Sequence, residues 1–244
     1  MTFDWAGIVE REGTALADAA DVDLTAPVPA APGWDTTELL RHTGLMHTRA
    51  ALVLRTGTIE RPTVENGMLP QPPRTGVADW YRANLAALLV ELRSIGDPDR
   101  PVYAFSPNHR RAGFWPRRMA HETTVHRVDA EQALDRPVGT ITPEFAVDGI
   151  DEIVDVFVPT ACAGRSPGNG ATVHLHAADA EGEWLIRFAE GDLIVERGHA
   201  KGDAAVRGRA GDLLLWLWGR LSLDRVEVFG DRSAAEALRA VTTL

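Results

Sequence analysis

The spacing of hydrophobic positions changes partway along the chain. Over the first 160 residues they recur every three or four positions, which gathers side chains on one face of a helix; beyond residue 171 they mostly alternate. Residues 3–20 read as a first helix, with Trp5, Ile8, Val9 and Leu16 as its apolar residues. Three prolines between Ala26 and Gly33 end it. A second helix opens at Asp35, which can cap the free N–H groups, with Glu38 three residues later at capping-box spacing. Leu39, Met46, Ala50, Val53 and Leu54 carry it to about Arg55.

Tyr81, Leu85, Leu88 and Leu92 form the stripe of a third helix over 77–95. A fourth is predicted from Pro116, a favoured first-turn residue, to about Leu134. A fifth runs from Thr142 and Pro143 to about Val158. The Pro- and Gly-bearing stretches 57–76 and 96–115 are long loops, and loops of that length are often functional.

Residues 161–170 read as a linker. After it, strands are predicted at 172–176, 183–188, 193–196, 204–207 and 225–229, with a very apolar helix at 212–220 and a last helix at 233–241. The expectation is an α+β protein. A four-helix bundle plus one extra helix fills 1–160, and a small antiparallel α+β domain fills 171–244.

Composition narrows the function. Of the 244 residues 45% are hydrophobic and 25% charged, so the chain can bury a core and is not disordered. A net charge of −10 repels a phosphate backbone and argues against nucleic-acid binding. Lys201 is the only lysine, and Cys162 the only cysteine, which excludes an intrachain disulfide and a Cys-based zinc cluster. The N-terminal residues MTFDWAGIVEREG lack the apolar run of a signal peptide, and no apolar stretch reaches ~18 residues. These features predict a cytoplasmic protein without membrane association.

The histidines are the informative residues for chemistry. In the segment 117–126, His121 and His126 flank a glutamate, but they stand five apart, about 140° round a helix. They cannot chelate one ion from a regular helix. Glu122 and His126 are four apart and share a face, so a carboxylate oxygen and an imidazole nitrogen can reach one cation. A catalytic zinc takes three protein ligands and keeps one position open. His42, beside the apolar face of the second helix, is the best third donor. The same residues also suit a plainer reading, in which Glu122 and His126 form a solvated surface pair and His42 and His47 sit on a helix surface.

Other side chains have two readings each. Asp129 either orients a ligand histidine or pairs with a surface arginine. Among Arg110, Arg111, Arg117 and Arg118, at most one is expected to serve an anionic substrate, Arg118 first; the alternative for each is a solvated surface charge. Trp115 either walls a pocket or packs in the core. His174 and His176 point to one face of a strand and read as an exposed sheet face.

Two motifs, Trp-Asp-Thr-Thr-Glu-Leu-Leu-Arg-His-Thr-Gly at 34–44 and His-Glu-Thr-Thr-Val-His-Arg-Val-Asp-Ala-Glu at 121–131, resemble the mycothiol-dependent maleylpyruvate isomerase family. That family belongs to the DinB-like metal-binding helical bundles of actinobacteria. Gly-Arg-Ala-Gly-Asp-Leu-Leu-Leu-Trp-Leu-Trp-Gly-Arg at 208–220 and Val-Glu-Val-Phe-Gly-Asp at 226–231 look like its C-terminal, sterol-carrier-like domain. The resemblance covers nearly the whole chain.

It implies a divalent, zinc-type ion held by His42, Glu122 and His126, with mycothiol as cosubstrate. The metal would activate the thiol against a small electrophilic substrate in a transferase or isomerase reaction. Two alternatives share the scaffold. One is a hydrolase in which the metal activates water; the other is a non-catalytic small-molecule binding or resistance protein.

Overall fold

The computed structural model describes residues 2–243 and divides into two compact units, Met1–Gly139 and Thr140–Leu244. The first contains α1 (Trp5–Ala20), α2 (Thr36–Thr56), α3 (Val77–Arg93) and α4 (Phe114–Ala133). It is the expected four-helix unit. Asp35 caps α2 by accepting from the Glu38 N–H at 2.8 Å. Glu38 does not return the bond to complete a capping box; its carboxylate takes Arg41 instead, at 2.6 Å. Helix α4 starts two residues before Pro116, which leaves that proline in the first turn, where a missing N–H costs nothing.

The core of this unit is aliphatic. Leu16 on α1, Leu39 and Leu40 on α2, and Tyr81 and Leu88 on α3 are fully buried. Each such leucine contributes about 1.5–3 kcal/mol of burial. Helix α1 packs most extensively on α4, and α2 lies against both α3 and α4. A buried ion pair crosses the α1–α4 seam: Arg127 Nε donates to Glu12 Oε2 at 2.8 Å, and Arg127 Nη1 to Glu131 Oε2 at 2.5 Å. The seam is thereby fixed in register by charge as well as by packing.

The second unit opens with α5 (Pro143–Glu152), continued by a π-helical turn, Ile153–Phe157. The sequence pattern places this helix with the bundle. The structure instead packs it on α6 (Ala210–Leu217), with Phe145, Ala146 and Ile150 buried. Asp151 on α5 accepts from the indole N–H of the fully buried Trp184 at 2.8 Å. The division between units therefore falls near residue 140. The 161–170 segment is no free linker: Cys162 is buried, Gly164 N–H donates to the Gly191 carbonyl, and Gly170 N–H to that of Phe188.

Strands β1 (Thr172–Ala177), β2 (Glu183–Ala189), β3 (Asp192–Arg197), β4 (Ala204–Gly208) and β5 (Glu227–Gly230) form one sheet in the order β3-β2-β1-β4-β5. Helix α7 (Arg232–Thr242) ends the unit. The sheet is mixed, not wholly antiparallel as the alternating pattern suggests, because β4 pairs with β1 in parallel. The cause is the connection 198–203, which leaves β3 at one edge and re-enters the sheet beyond β1. Alternation marks which residues face the core, and it is the same for either strand direction.

Candidate metal centre

Helices α2 and α4 bring His42, Glu122 and His126 together, with one donor atom from each within 4.8 Å of the others. His42 Nε2 lies 3.1 Å from Glu122 Oε1, and His126 Nε2 lies 3.3 Å from the same oxygen. Donors around a tetrahedral zinc with 2.0–2.1 Å bonds stand about 3.3 Å apart, so this spacing fits a shared cation. Two imidazoles and a carboxylate suit zinc and other first-row divalents.

His121 and Glu122 point to different sides of α4. His121, one residue before Glu122, is buried towards α1, its ring centroid 6.0 Å from that of Trp5. Glu122 and His126 face α2. Asp129, one turn beyond His126, is buried and lies 2.9 Å from His126 Nδ1. It leaves the ring's Nε2 directed at the cluster.

Arg118 is not on a solvated surface. It is 3% exposed and donates from Nη2 to Glu122 Oε2 at 2.8 Å, one turn before the glutamate. This occupies one carboxylate oxygen and leaves the other for the histidines. Trp115 is buried and its indole N–H donates to the Tyr103 carbonyl at 2.9 Å, tying α4 to the 96–115 loop. Of the remaining loop arginines, Arg111 pairs with Asp99 on the surface.

The charges are strongly coupled. Burial by itself would raise the Glu122 pKa; His126, His42 and Arg118 outweigh it and hold the carboxyl well below its usual range. Burial would lower that of His126, but Glu122 and Asp129 push it up to about 9. Together these groups favour positive charge at this spot.

His47 is a participant the spacing did not single out. It is fully buried on α2, with Nε2 2.9 Å from Thr123 Oγ1 and its ring 5.3 Å from that of Tyr81. Its Nδ1 is buried without a hydrogen-bond partner among the described residues. That favours a neutral ring with the proton on Nε2, since an unpaired lone pair costs less than an unpaired N–H. Trp34, just ahead of α2, packs tilted against His42 with ring centroids 5.0 Å apart, and the His42 side chain is 35% exposed, the most open of the three. The approach to the cluster is therefore from the His42 side.

Comparison with known proteins agrees with this architecture. The family profile for the mycothiol maleylpyruvate isomerase N-terminal domain matches residues 5–131, and that for the MDMPI C-terminal domain matches residues 144–237. Among solved structures, the mycothiol-dependent maleylpyruvate isomerase is similar over 92% of this chain and 91% of its own, with a TM-score of 0.56 at 14% identity. A histidine-to-alanine mutant of the mycothiol-dependent maleylpyruvate isomerase is similar over the same shares, with a TM-score of 0.54 at 13% identity. At that identity the likeness concerns the fold. No curated protein matches in sequence. The N-terminal profile alone spans half of the chain and contains all three converging side chains, and on that ground the protein belongs to the mycothiol maleylpyruvate isomerase family.

Proposed function

We propose that the protein is a divalent-metal-dependent, mycothiol-using enzyme, an isomerase or thiol transferase acting on a small electrophile. The observation that carries this reading is the convergence of His42, Glu122 and His126 inside the domain that defines the family. The solved relatives are mycothiol-dependent maleylpyruvate isomerases, which supports mycothiol as the cosubstrate here. A cation held by these donors, zinc by preference, would supply Lewis acidity that lowers the pKa of a coordinating thiol, so that the thiolate would form at neutral pH with its proton lost to solvent.

The chain's own residues prepare that site. Arg118 holds one oxygen of Glu122 and so presents the other. Asp129 accepts from His126 Nδ1, which keeps Nε2 as the free donor. His42 forms the exposed side, and Trp34 flanks the approach there as an apolar wall. Cys162 is not the sulfur nucleophile: it is buried in the other unit, and burial pushes its thiol pKa up. Among the described residues no helix is long and apolar enough to cross a membrane, and a free-thiol cosubstrate suits a reducing cytoplasm.

The test is elemental analysis of purified protein, followed by a screen of electrophiles with and without mycothiol. The expected result is metal bound at the bundle and turnover only with the thiol. Equal turnover with and without mycothiol would move the assignment to a metal-dependent hydrolase. A stable protein with no metal at the bundle and no turnover would make it a small-molecule binding protein.

A further inference from the structure

The second unit carries another cluster of metal-donor side chains, apart from the one on α2 and α4. His174 on β1, Glu183 on β2 and His199, two residues beyond β3, bring one donor atom each within 4.8 Å. Glu183 Oε2 lies 2.9 Å from His174 Nε2 and 2.7 Å from His199 Nδ1. His176 is in reach as well, its Nδ1 3.9 Å from Glu183 Oε1.

Strand register explains half of this grouping. His176 pairs directly with Glu183 across β1 and β2, and His174 pairs with Leu185, two residues along. Alternation puts His174 and His176 on one face, while Val173, Leu175 and Ala177 fill the core on the other.

The connection 198–203 supplies the rest. Gly198 has φ of +135°, a conformation that side-chain-bearing residues avoid, and its N–H donates to the Glu183 carbonyl at 3.0 Å. The turn returns the next residue, His199, to the Glu183 side chain. Gly202 then presses on β1: a Cβ there would stand 2.9 Å from the His174 backbone nitrogen and 2.7 Å from the Ala204 carbonyl. His174 is consequently 5% exposed, not part of an open sheet face, whereas His199 remains open to solvent. The cluster has a buried wall and an accessible mouth.

We infer that His174, Glu183 and His199, with His176 as a fourth donor, form a second divalent-cation site that staples the β3–β4 connection to the sheet. Three imidazoles and one carboxylate are a donor set for zinc, and also for cobalt, nickel and copper. The present 2.7 and 2.9 Å separations need to open only a few tenths of an ångström to reach the about 3.3 Å of a tetrahedral site, within the reach of small side-chain rotations. His176 stands outside this three-donor group and faces the other Glu183 oxygen; a turn of its side chain towards the three would close the coordination, the mark of a structural ion as against an open catalytic centre. An ion that binds only the folded arrangement stabilises it by mass action.

The experiment uses the full chain, dialysed against micromolar zinc chloride and, in parallel, cobalt chloride. Three variants are compared with the unmodified protein: His199→Ala, Glu183→Gln, and the double variant His42→Ala/His126→Ala. Each of the first two should carry one ion fewer per chain than the unmodified protein and keep its thiol-dependent activity. The double variant, its bundle centre removed, should still bind one ion, show a cobalt ligand-field spectrum, and melt several degrees higher with zinc than without. His199 is exposed, so its replacement does not disturb the core. Equal metal content in the unmodified protein, His199→Ala and Glu183→Gln would overturn the site, as would absence of any bound ion from the double variant. Failure of the bundle centre would read differently, as loss of thiol-dependent turnover with this second ion still present.

Discussion

His126 and Asp129 stand one turn apart on α4, with Nδ1 2.9 Å from Oδ2, and the carboxylate is almost completely buried. A buried acceptor of full charge fixes both the tautomer and the orientation of the ring. Asp129→Asn keeps the shape and removes the charge. Metal affinity at the bundle should fall by about 10- to 100-fold, the usual effect of losing such a partner. Competition against a chromophoric chelator measures it, and an unchanged affinity would leave Asp129 with a packing role only.

His121 and Glu122 are neighbours with opposite duties. His42→Ala, Glu122→Ala and His126→Ala should each abolish metal binding at the bundle centre. His121→Ala should leave it in place and instead lower stability by about 1–3 kcal/mol, because a buried ring against α1 is lost. Metal content and urea denaturation separate the two effects; a metal-free His121→Ala protein would contradict the orientation of α4.

His47 should make the protein acid-sensitive. Burial pulls its pKa down from 6.5 to about 3, against the opposing charge of Glu122. The unfolded chain takes up a proton near pH 6.5 that the folded chain refuses. The stability contribution is therefore complete above pH 6.5 and drains as pH falls towards 3, at about 1.4 kcal/mol per unit. Between pH 6.5 and 4.5 His47→Gln should flatten the stability profile by about one proton relative to the unmodified protein, carboxylate titration being common to both. Parallel profiles for the two proteins would refute the neutral buried ring.

Glu12 is the acidic half of the α1–α4 seam. Among the described residues, Glu12→Ala leaves buried Arg127 with Glu131 and the Gly139 carbonyl as partners. Breaking a buried pair in this way costs about 3–5 kcal/mol, and the surviving partners favour the lower end. Denaturant unfolding gives the number. Glu12→Gln, which can still accept from Arg127, should recover part of the loss.

Much of this was legible in the sequence because the signals were local. Asp35 and Glu38 mark the start of α2, and the four-residue spacing of Glu122 and His126 puts both on one face regardless of what covers it. What could not be read depends on distant partners. The Phe145–Ile150 stripe predicts a helix but not that α6 receives it, so the pattern assigns α5 to the wrong unit. The direction of β4 leaves no trace in alternation, since its pairing with β1 is set by the 198–203 connection. The sequence offers Arg118 as the first candidate for an anionic substrate and His174 as part of an exposed sheet face, because the Glu122 carboxylate and the Glu183–His199 pair become their partners only through folding. For Arg118 a local signal did exist: Glu122 is four residues away, the same spacing that singled out His126.

The pairing of α1 with α4 also sets a timetable. Glu12 and Arg127 are separated by 115 positions, so in a chain made from its N-terminus the first helix emerges long before its main partner. At about 5–20 residues per second, that interval is on the order of 6 to 23 s. Throughout it the face bearing Val9 and Leu16 lacks its α4 cover, and it is Glu12, on the same buried face, that interrupts the apolar stripe with a charge. The residue that later locks the seam thus serves first as a solubilising group on the nascent helix, and the arrival of Arg127 converts it from one role to the other.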